Sequence, residues 1–593
     1  MFFEGELVHK KLFLLLIFLV LFSSIVVATP QVIVNSGSWQ DVYSGMLYAR
    51  LDGKQGHFLT STRHGNIILG GIPLSAESVE IISSRSNPFV ANYEGIVTNA
   101  GYRGVIERRV GNANIELLDL LPDIDKFIIV DDAYGYNAIS VAPLASFGRY
   151  YVLFSNRNNN NQIINTLQDR NVNELIIYGQ VDRGLRTALE EYNPRIINTG
   201  DRFDNNIEIV ELYQEIYRRT NGQPRRQAIL TNGEFIETSI MNGADPVIFI
   251  GFANVPEHVR EYIASSDFEV GTLIGNELIG TATFIRRQTG LSVFVKFGQG
   301  ARVPEGAIAQ VEDLDRFPIP RFELRLEIAA AVVNTATNSL EVTYRNFAPV
   351  STFFRPISLR VFDNQISSIV DIQDTTPTFI DGNDFKTMIY PLIDGNEERI
   401  DLIGDNKSLE LSVIYGESPR ALEQTLEATI PLSEVHIIDG AEIEILDVSF
   451  NLRTSSFLIE IRNIGSVDAY ATGEIHDLLV DGESLIFGTD QIISLSPGRR
   501  GVITVPTTMV EEDVPFNEQV RVKVLYGERE NSLTKVREGV FDFKYTTVDF
   551  TIYILIILII LLLLLIFLTK KCKHCKKKNP RFRKHCKHCK HKL

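Results

Sequence analysis

The chain has 593 residues, 45% of them hydrophobic, and a formal charge of −16. Residues 570–593 hold twelve Lys and Arg and no Asp or Glu, so the stretch before them carries about −28, which excludes a general nucleic-acid-binding surface. All four cysteines lie after residue 571, which excludes a disulfide scaffold for the rest, and the length allows three to five domains stabilised by their own cores.

Lys10 and Lys11 precede the apolar run 12–27, and Val26-Val27-Ala28 supplies small residues before Thr29. This pattern predicts a signal segment over residues 1–28 that sends the next five hundred residues outward; an uncleaved anchor is the alternative.

Residues 31–305 alternate strand-like runs (56–61, 127–130, 150–155, 174–178, 246–251) with helix-patterned stretches such as 161–170 and 206–219. That order implies α/β units with Rossmann-like parallel sheets. The segment also repeats itself. Asp41, Asn137 and Glu237 stand at equivalent places before a small-residue stretch and a strand, 96 and 100 residues apart. Asn114-Ile115-Glu116-Leu117-Leu118-Asp119-Leu120 parallels Asn206-Ile207-Glu208-Ile209-Val210-Glu211-Leu212, 92 residues later. Three copies of one unit are expected, over 29–126, 127–225 and 226–316.

Asn137-Ala138-Ile139-Ser140-Val141-Ala142-Pro143-Leu144-Ala145, residues 174–180, and Gly200-Asp201-Arg202-Phe203-Asp204 resemble the cell-wall-binding repeat type 2 family. The first unit departs from that pattern at Gly111-Asn112-Ala113 and the third at Gly298-Gln299-Gly300. The resemblance implies three repeats about a pseudo-three-fold axis that hold a surface protein on an anionic wall polymer. It makes Asp41, Asn137, Glu237, Asp201 and Arg202 the candidate ligand-binding residues. Each has a structural alternative: helix capping for the first three, an ion pair for Asp201 and Arg202. Small residues at Ala138, Ser140, Ala142 and Ala145 also let a helix lie close on a sheet.

From Arg321 the period changes to short β-branched strands separated by Asn, Asp and Gly turns. This block is duplicated: Val342-Thr343-Tyr344-Arg345-Asn346 matches Ile459-Glu460-Ile461-Arg462-Asn463, and Leu411 to Glu417 matches Val522 to Glu528. Two all-β, immunoglobulin-like sandwiches are expected over 321–435 and 440–545, joined to the α/β part by a proline-stiffened connector at 316–320. They resemble the tandem sandwiches of prokaryotic surface proteins.

Residues 550–568 are uncharged and mostly Ile and Leu, long enough for one transmembrane helix. The basic residues after it place 569–593 in the cytoplasm and the larger part outside, with anionic lipid headgroups as partners of the tail. Cys572, Cys575, Cys586 and Cys589 form two Cys-x2-Cys pairs ten residues apart, the spacing of a four-thiolate Zn2+ site, and resemble a minimal zinc ribbon. Lys576 and Lys590 stand where that ribbon usually has Gly. A redox dithiol or palmitoylated cysteines are the alternatives.

No nucleophile elbow, P-loop or dinucleotide motif occurs, so no enzyme is expected. The leading expectation is a membrane-anchored prokaryotic, archaeal-type cell-surface protein that binds an envelope polymer, an S-layer protein or a neighbouring surface. The rivals are a glycan-processing enzyme using Asp41 or Glu237, and a transmembrane sensor with a ribbon output.

Overall fold

The computed structural model describes residues 29–275, 278–298, 300–305, 308–363, 366–402, 406–546, 558–560, 563, 569–580 and 583–593. The expected signal segment 1–28, and all of the expected span 550–568 except 558–560 and 563, lie outside the described residues. Among the described residues no helix is long and apolar enough to cross a membrane. The chain divides into two compact units, Met1–Ile437 and Ile438–Leu593.

The first unit opens with three parallel sheets of four strands each. The first holds β1 (Gln31–Asn35), β2 (Gln55–Phe58), β3 (Val79–Ser84) and β4 (Val105–Val110), in the order 2-1-3-4. The second holds β5 (Lys126–Asp131), β6 (Tyr151–Ser155), β7 (Glu174–Tyr178) and β8 (Arg195–Ile197), in the order 6-5-7-8. In the third, β9 (Gln227–Thr231) is followed by a small strand, β10 (Phe235–Glu237), that leaves the sheet. The sheet then runs β11 (Val247–Phe249), β9, β12 (Val270–Ile274) and β13 (Ser292–Lys296). One connection pattern is therefore used three times, as the sequence repeat requires. The strands are parallel because each is reached by a crossover, and β1, β3 and β6 are buried along their whole length.

After the central strand of each sheet comes a helix: α1 (Trp39–Leu51), α2 (Tyr136–Gly148), and in the third unit the single turn α3 (Thr238–Met241). These three touch one another pairwise at the middle of the head. The first two are buried on nearly every side, which suits the Ala and Ser of α2 and the glycine of α1: Gly45 lies so close to Val34 that a Cβ would sit 2.5 Å from its side chain. A long helix, α4 (Arg202–Asn221), packs along α2.

The hairpin β14 (Gly300–Glu305) and β15 (Ile308–Asp313) comes next, and then Arg316–Pro318. The prolines suggested a stiff connector here. Instead Arg316–Pro318 forms β16, paired antiparallel with β10 so that Ile236 faces Phe317. Phe317 is buried edge-on to Phe58 and Phe89, so its apolar ring holds the segment on the head.

The first sandwich completes this unit. One sheet contains Leu326–Asn334, Ser339–Asn346 and Phe385–Pro391; the other contains Thr352–Asp363, Lys407–Gly416 and Gln424–Pro431. In the second unit the same layout recurs, with Ile443–Asn451, Ser456–Asn463 and Arg500–Pro506 against Ala469–Val480, Gln519–Gly527 and Lys535–Asp542. The duplication extends to single side chains. Asn346 donates to Val350 O and Asp381 O, and its counterpart Asn463 donates to Val467 O and Leu495 O. At the C-terminus Thr569–Lys571 pairs antiparallel with Lys578–Pro580.

Candidate functional site

The three equivalent head positions lie at the helix starts around the centre. Asp41 is buried in the first turn of α1 and accepts from Ser36 Oγ (2.7 Å) and from the Ala113 N–H (3.3 Å). Asn137 lies in the first turn of α2 with its amide over Gly179, where a Cβ would meet its Nδ2 at 2.5 Å. Glu237 caps α3 by accepting from the Ser239 N–H (2.6 Å), is almost fully buried, and is ion-paired with Lys296.

The units are joined by two asparagines whose sequence match was visible but whose task was not. Asn114 of the first unit reads the edge strand β6 of the second. Its Nδ2 donates to Val152 O (2.8 Å) and Ser44 Oγ (3.1 Å), and its Oδ1 accepts from the Phe154 N–H (3.0 Å). Asn206 does the same to β11 of the third unit, with Val247 O (3.0 Å), Ser140 Oγ (2.8 Å) and the Phe249 N–H (2.9 Å). An edge strand has unpaired backbone groups, and one amide satisfies a carbonyl and an N–H together. The third junction, onto β2, is built differently. There β16 lays Phe317 against Phe58, and a cavity of about 400 Å³ remains, lined by His57, His64, Glu237, Lys296 and Asp315 among others. Burial pushes His57 down to about 4, so its imidazole is neutral.

Asp201 and Arg202 meet the first sandwich. Asp201 Oδ1 caps α4 through the N–H groups of Phe203 (2.8 Å) and Asp204 (3.2 Å), while Oδ2 accepts from Ser418 Oγ (2.6 Å). The Arg202 guanidinium lies over the ring of Tyr136 (4.3 Å) and pairs with Glu417 (2.7 Å) and Glu423 (2.5 Å), both from the loop between the strands Lys407–Gly416 and Gln424–Pro431. The same loop is gripped by backbone: Ala253 and Asn254 N–H donate to Glu423 O. Gly251 permits this approach, having φ +74 and no room for a Cβ beside Asn254 O at 2.3 Å. Burial raises Glu417 to about 7 despite the pull of Arg202, and burial raises Glu423 as well. The predicted pair is thus engaged in holding the sandwich on the head, and its partners lie more than two hundred residues away in the sequence.

The four cysteines converge, their Sγ atoms all within 4.8 Å of one another. The Cys572–Cys589 and Cys575–Cys586 sulfurs stand 3.5 and 3.4 Å apart. A tetrahedral ion with metal–sulfur bonds of about 2.3 Å needs sulfurs roughly 3.8 Å apart, so the set fits a four-thiolate centre. Each knuckle returns on itself, Lys576 N–H to Cys572 O and Lys590 N–H to Cys586 O, with Lys576 and Lys590 at φ +54 and +59. That left-handed turn is what Gly normally supplies at these places. Asn579 Nδ2 (3.3 Å) and the His588 N–H (3.5 Å) point at Cys586 Sγ. Burial opposes them, but these donors and the Cys589 N–H bring that thiol down to about 5, suited to a thiolate ligand.

No family model and no curated protein matches the chain. Among solved structures, Cwp8 from Clostridium difficile is similar over 44% of this chain and 47% of its own, with 14% identity and a TM-score of 0.34. Cwp6 from Clostridium difficile is similar over 45% of this chain and 44% of its own, with 13% identity and a TM-score of 0.33. The YadV chaperone is similar over 37% of this chain and 98% of its own, with 11% identity and a TM-score of 0.14. The chain thus spans less than half the length of Cwp8 and Cwp6.

Proposed function

We propose that the chain is a single-pass prokaryotic, archaeal-type surface protein, whose three-unit head binds an envelope polymer, an S-layer protein or a neighbouring surface. The observation that carries this reading is the uncharged run 550–568 followed at once by a wholly basic segment, after more than five hundred residues of acidic, cysteine-free chain. The positive-inside rule puts the head and both sandwiches outside and the ribbon in the cytoplasm. The resemblance of residues 31–305 to cell-wall-binding repeats adds the class of partner.

A binding role is favoured over catalysis because the repeat-equivalent Asp41 and Glu237 are both engaged, one between helices and one with Lys296. In this reading the ribbon holds Zn2+ through Cys572, Cys575, Cys586 and Cys589, and the surrounding Lys and Arg lie against anionic headgroups at roughly 1 kcal/mol each. Protease treatment of intact cells tests the topology. Loss of epitopes in both sandwiches with a protected C-terminal tag is the expected result; a digested C-terminal tag or a chain recovered in the soluble fraction would refute it. Metal analysis of the purified chain should return one zinc, abolished by Cys586→Ser with Cys589→Ser.

A further inference from the structure

We infer that a cleft between the third α/β unit and the first sandwich is a binding site for an oxyanion-bearing ligand, one carrying a carboxylate, sulfate or phosphate. The cleft has a volume of about 510 Å³, and three arginines line it: Arg260 from the helix Glu257–Ser265, Arg355 from the sandwich strand Thr352–Asp363, and Arg420 from the loop that docks on the head. They come from three separate elements, and among the described residues Arg420 is ion-paired, with Asp204, while Arg260 and Arg355 are not.

Their hydrogen bonds are incomplete. Arg260 donates through Nη1 to Gln288 and lies over Phe284, yet its Nε is buried with no partner among the described residues. Arg355 has a buried, unpartnered Nε, and no ion pair of its guanidinium occurs among the described residues. Arg420 gives one nitrogen to Asp204 (2.8 Å), leaving the rest of a group that is 62% exposed. A guanidinium has five donors, and a buried donor left without an acceptor costs about 1–3 kcal/mol, so Arg260 and Arg355 both keep donor capacity that an oxyanion could meet. Glu257 and Glu261 are the acidic residues of the lining; both are exposed. With Arg420 held by Asp204, Arg260 and Arg355 stand against Glu257 and Glu261, so the formal charges balance, and Arg355 is a cation with no anionic partner among the described residues.

The walls supply a second property. Ile357, 52% exposed, and Leu422 give an apolar surface beside the arginines, suited to the face of a sugar ring or another small carbon skeleton bearing the anion. The site is separate from the repeat-equivalent helix starts, and the inference stands whether or not the chain is anchored in a membrane.

The test is calorimetric titration of the full chain in nonionic detergent, with inorganic phosphate, sulfate and glucuronate as probes in anion-poor buffer. Saturable one-to-one binding of at least one probe is expected, weakened about tenfold or more by Arg355→Gln and by Arg260→Gln at an unchanged unfolding temperature. Tighter binding of glucuronate than of the inorganic ions assigns the cleft to an anionic saccharide; equal binding assigns it to a free anion. No saturable heat up to about 10 mM of any probe overturns the proposal, as does binding that both arginine variants leave intact. Ile357→Ser provides a second handle that leaves the charges in place: it should weaken glucuronate while leaving phosphate unchanged.

Discussion

Asn114 and Asn206 show how much one amide can fix. Each satisfies a carbonyl and an N–H on the edge of the next sheet and a serine on its own unit's helix, all in buried surroundings. Replacing Asn206 by Ala removes three hydrogen bonds and strands Phe249 N–H and Val247 O without water. The expected loss is about 3 kcal/mol, read from denaturant unfolding of the full chain, with a loss of the same size for Asn114→Ala. A surface asparagine such as Asn158 should cost less than about 0.5 kcal/mol. The paired heptamers containing these asparagines were legible as a repeat. Their role was not, because the sequence shows which residues recur but not which edge strand each will face. Asp201 and Arg202 illustrate the same limit, since Glu417 and Glu423 become neighbours only through the fold.

At the scale of elements, hydrophobic period found β2, β5, β6, β7 and β11 of the parallel sheets and several sandwich strands, because each buries a continuous or alternating apolar run, but it did not single out β1, β3, β4, β8, β9, β12 or β13. It failed at Arg316–Pro318, where two prolines read as a linker but Phe317 and the pairing with β10 make a strand. It also could not show that, among the described residues, the third junction closes through the aromatic contact of Phe317 with Phe58. The two cysteine knuckles were legible in full, including their departure from Gly. The structure gives that departure an energetic meaning: Lys576 and Lys590 sit at φ +54 and +59, which costs an L-residue about 1 kcal/mol each. For a chain loaded with Zn2+, Lys576→Gly and Lys590→Gly should therefore each slow loss of the ion to a chelator about threefold to fivefold, the strain being relieved in the bound form. The double variant should show the product of the two effects, because the turns lie on separate knuckles and share no strained residue.

Within the first compact unit the loop 417–423 docks the sandwich on the head, and its charge balance is unusual. One guanidinium, that of Arg202, faces two carboxylates, Glu417 and Glu423, with Asp201 beside them and Glu234 near Glu423. Removing the cation in Arg202→Leu leaves both acids buried without it, so about 3–5 kcal/mol should be lost and head and sandwich should unfold in separate calorimetric steps. The excess of acid also sets a pH dependence. Glu417 is raised from 4.5 to about 7 in the folded chain, by burial first. The folded state then holds a proton that the unfolded state releases between those values, so this group's contribution falls as pH rises from about 4.5 to about 7 and is constant above. His258, packed near Asp204 and Arg420, is lowered by burial and acts in the opposite sense below its ordinary value of 6.5. The dependence is therefore read as a difference between two chains. Glu417→Gln keeps the shape of the protonated acid and cannot ionise, so it should match the parent near pH 4.5 and exceed it by about 2 kcal/mol at pH 8. With Glu417 21% exposed at its side chain, some of the buried charge is relieved by water, and the figure lies below the full difference in proton affinity. A difference that stays flat from pH 4.5 to 8 would mean that Arg202 holds both carboxylates ionised throughout, and that the loop is fixed by the backbone bonds from Ala253 and Asn254 rather than by a shared proton.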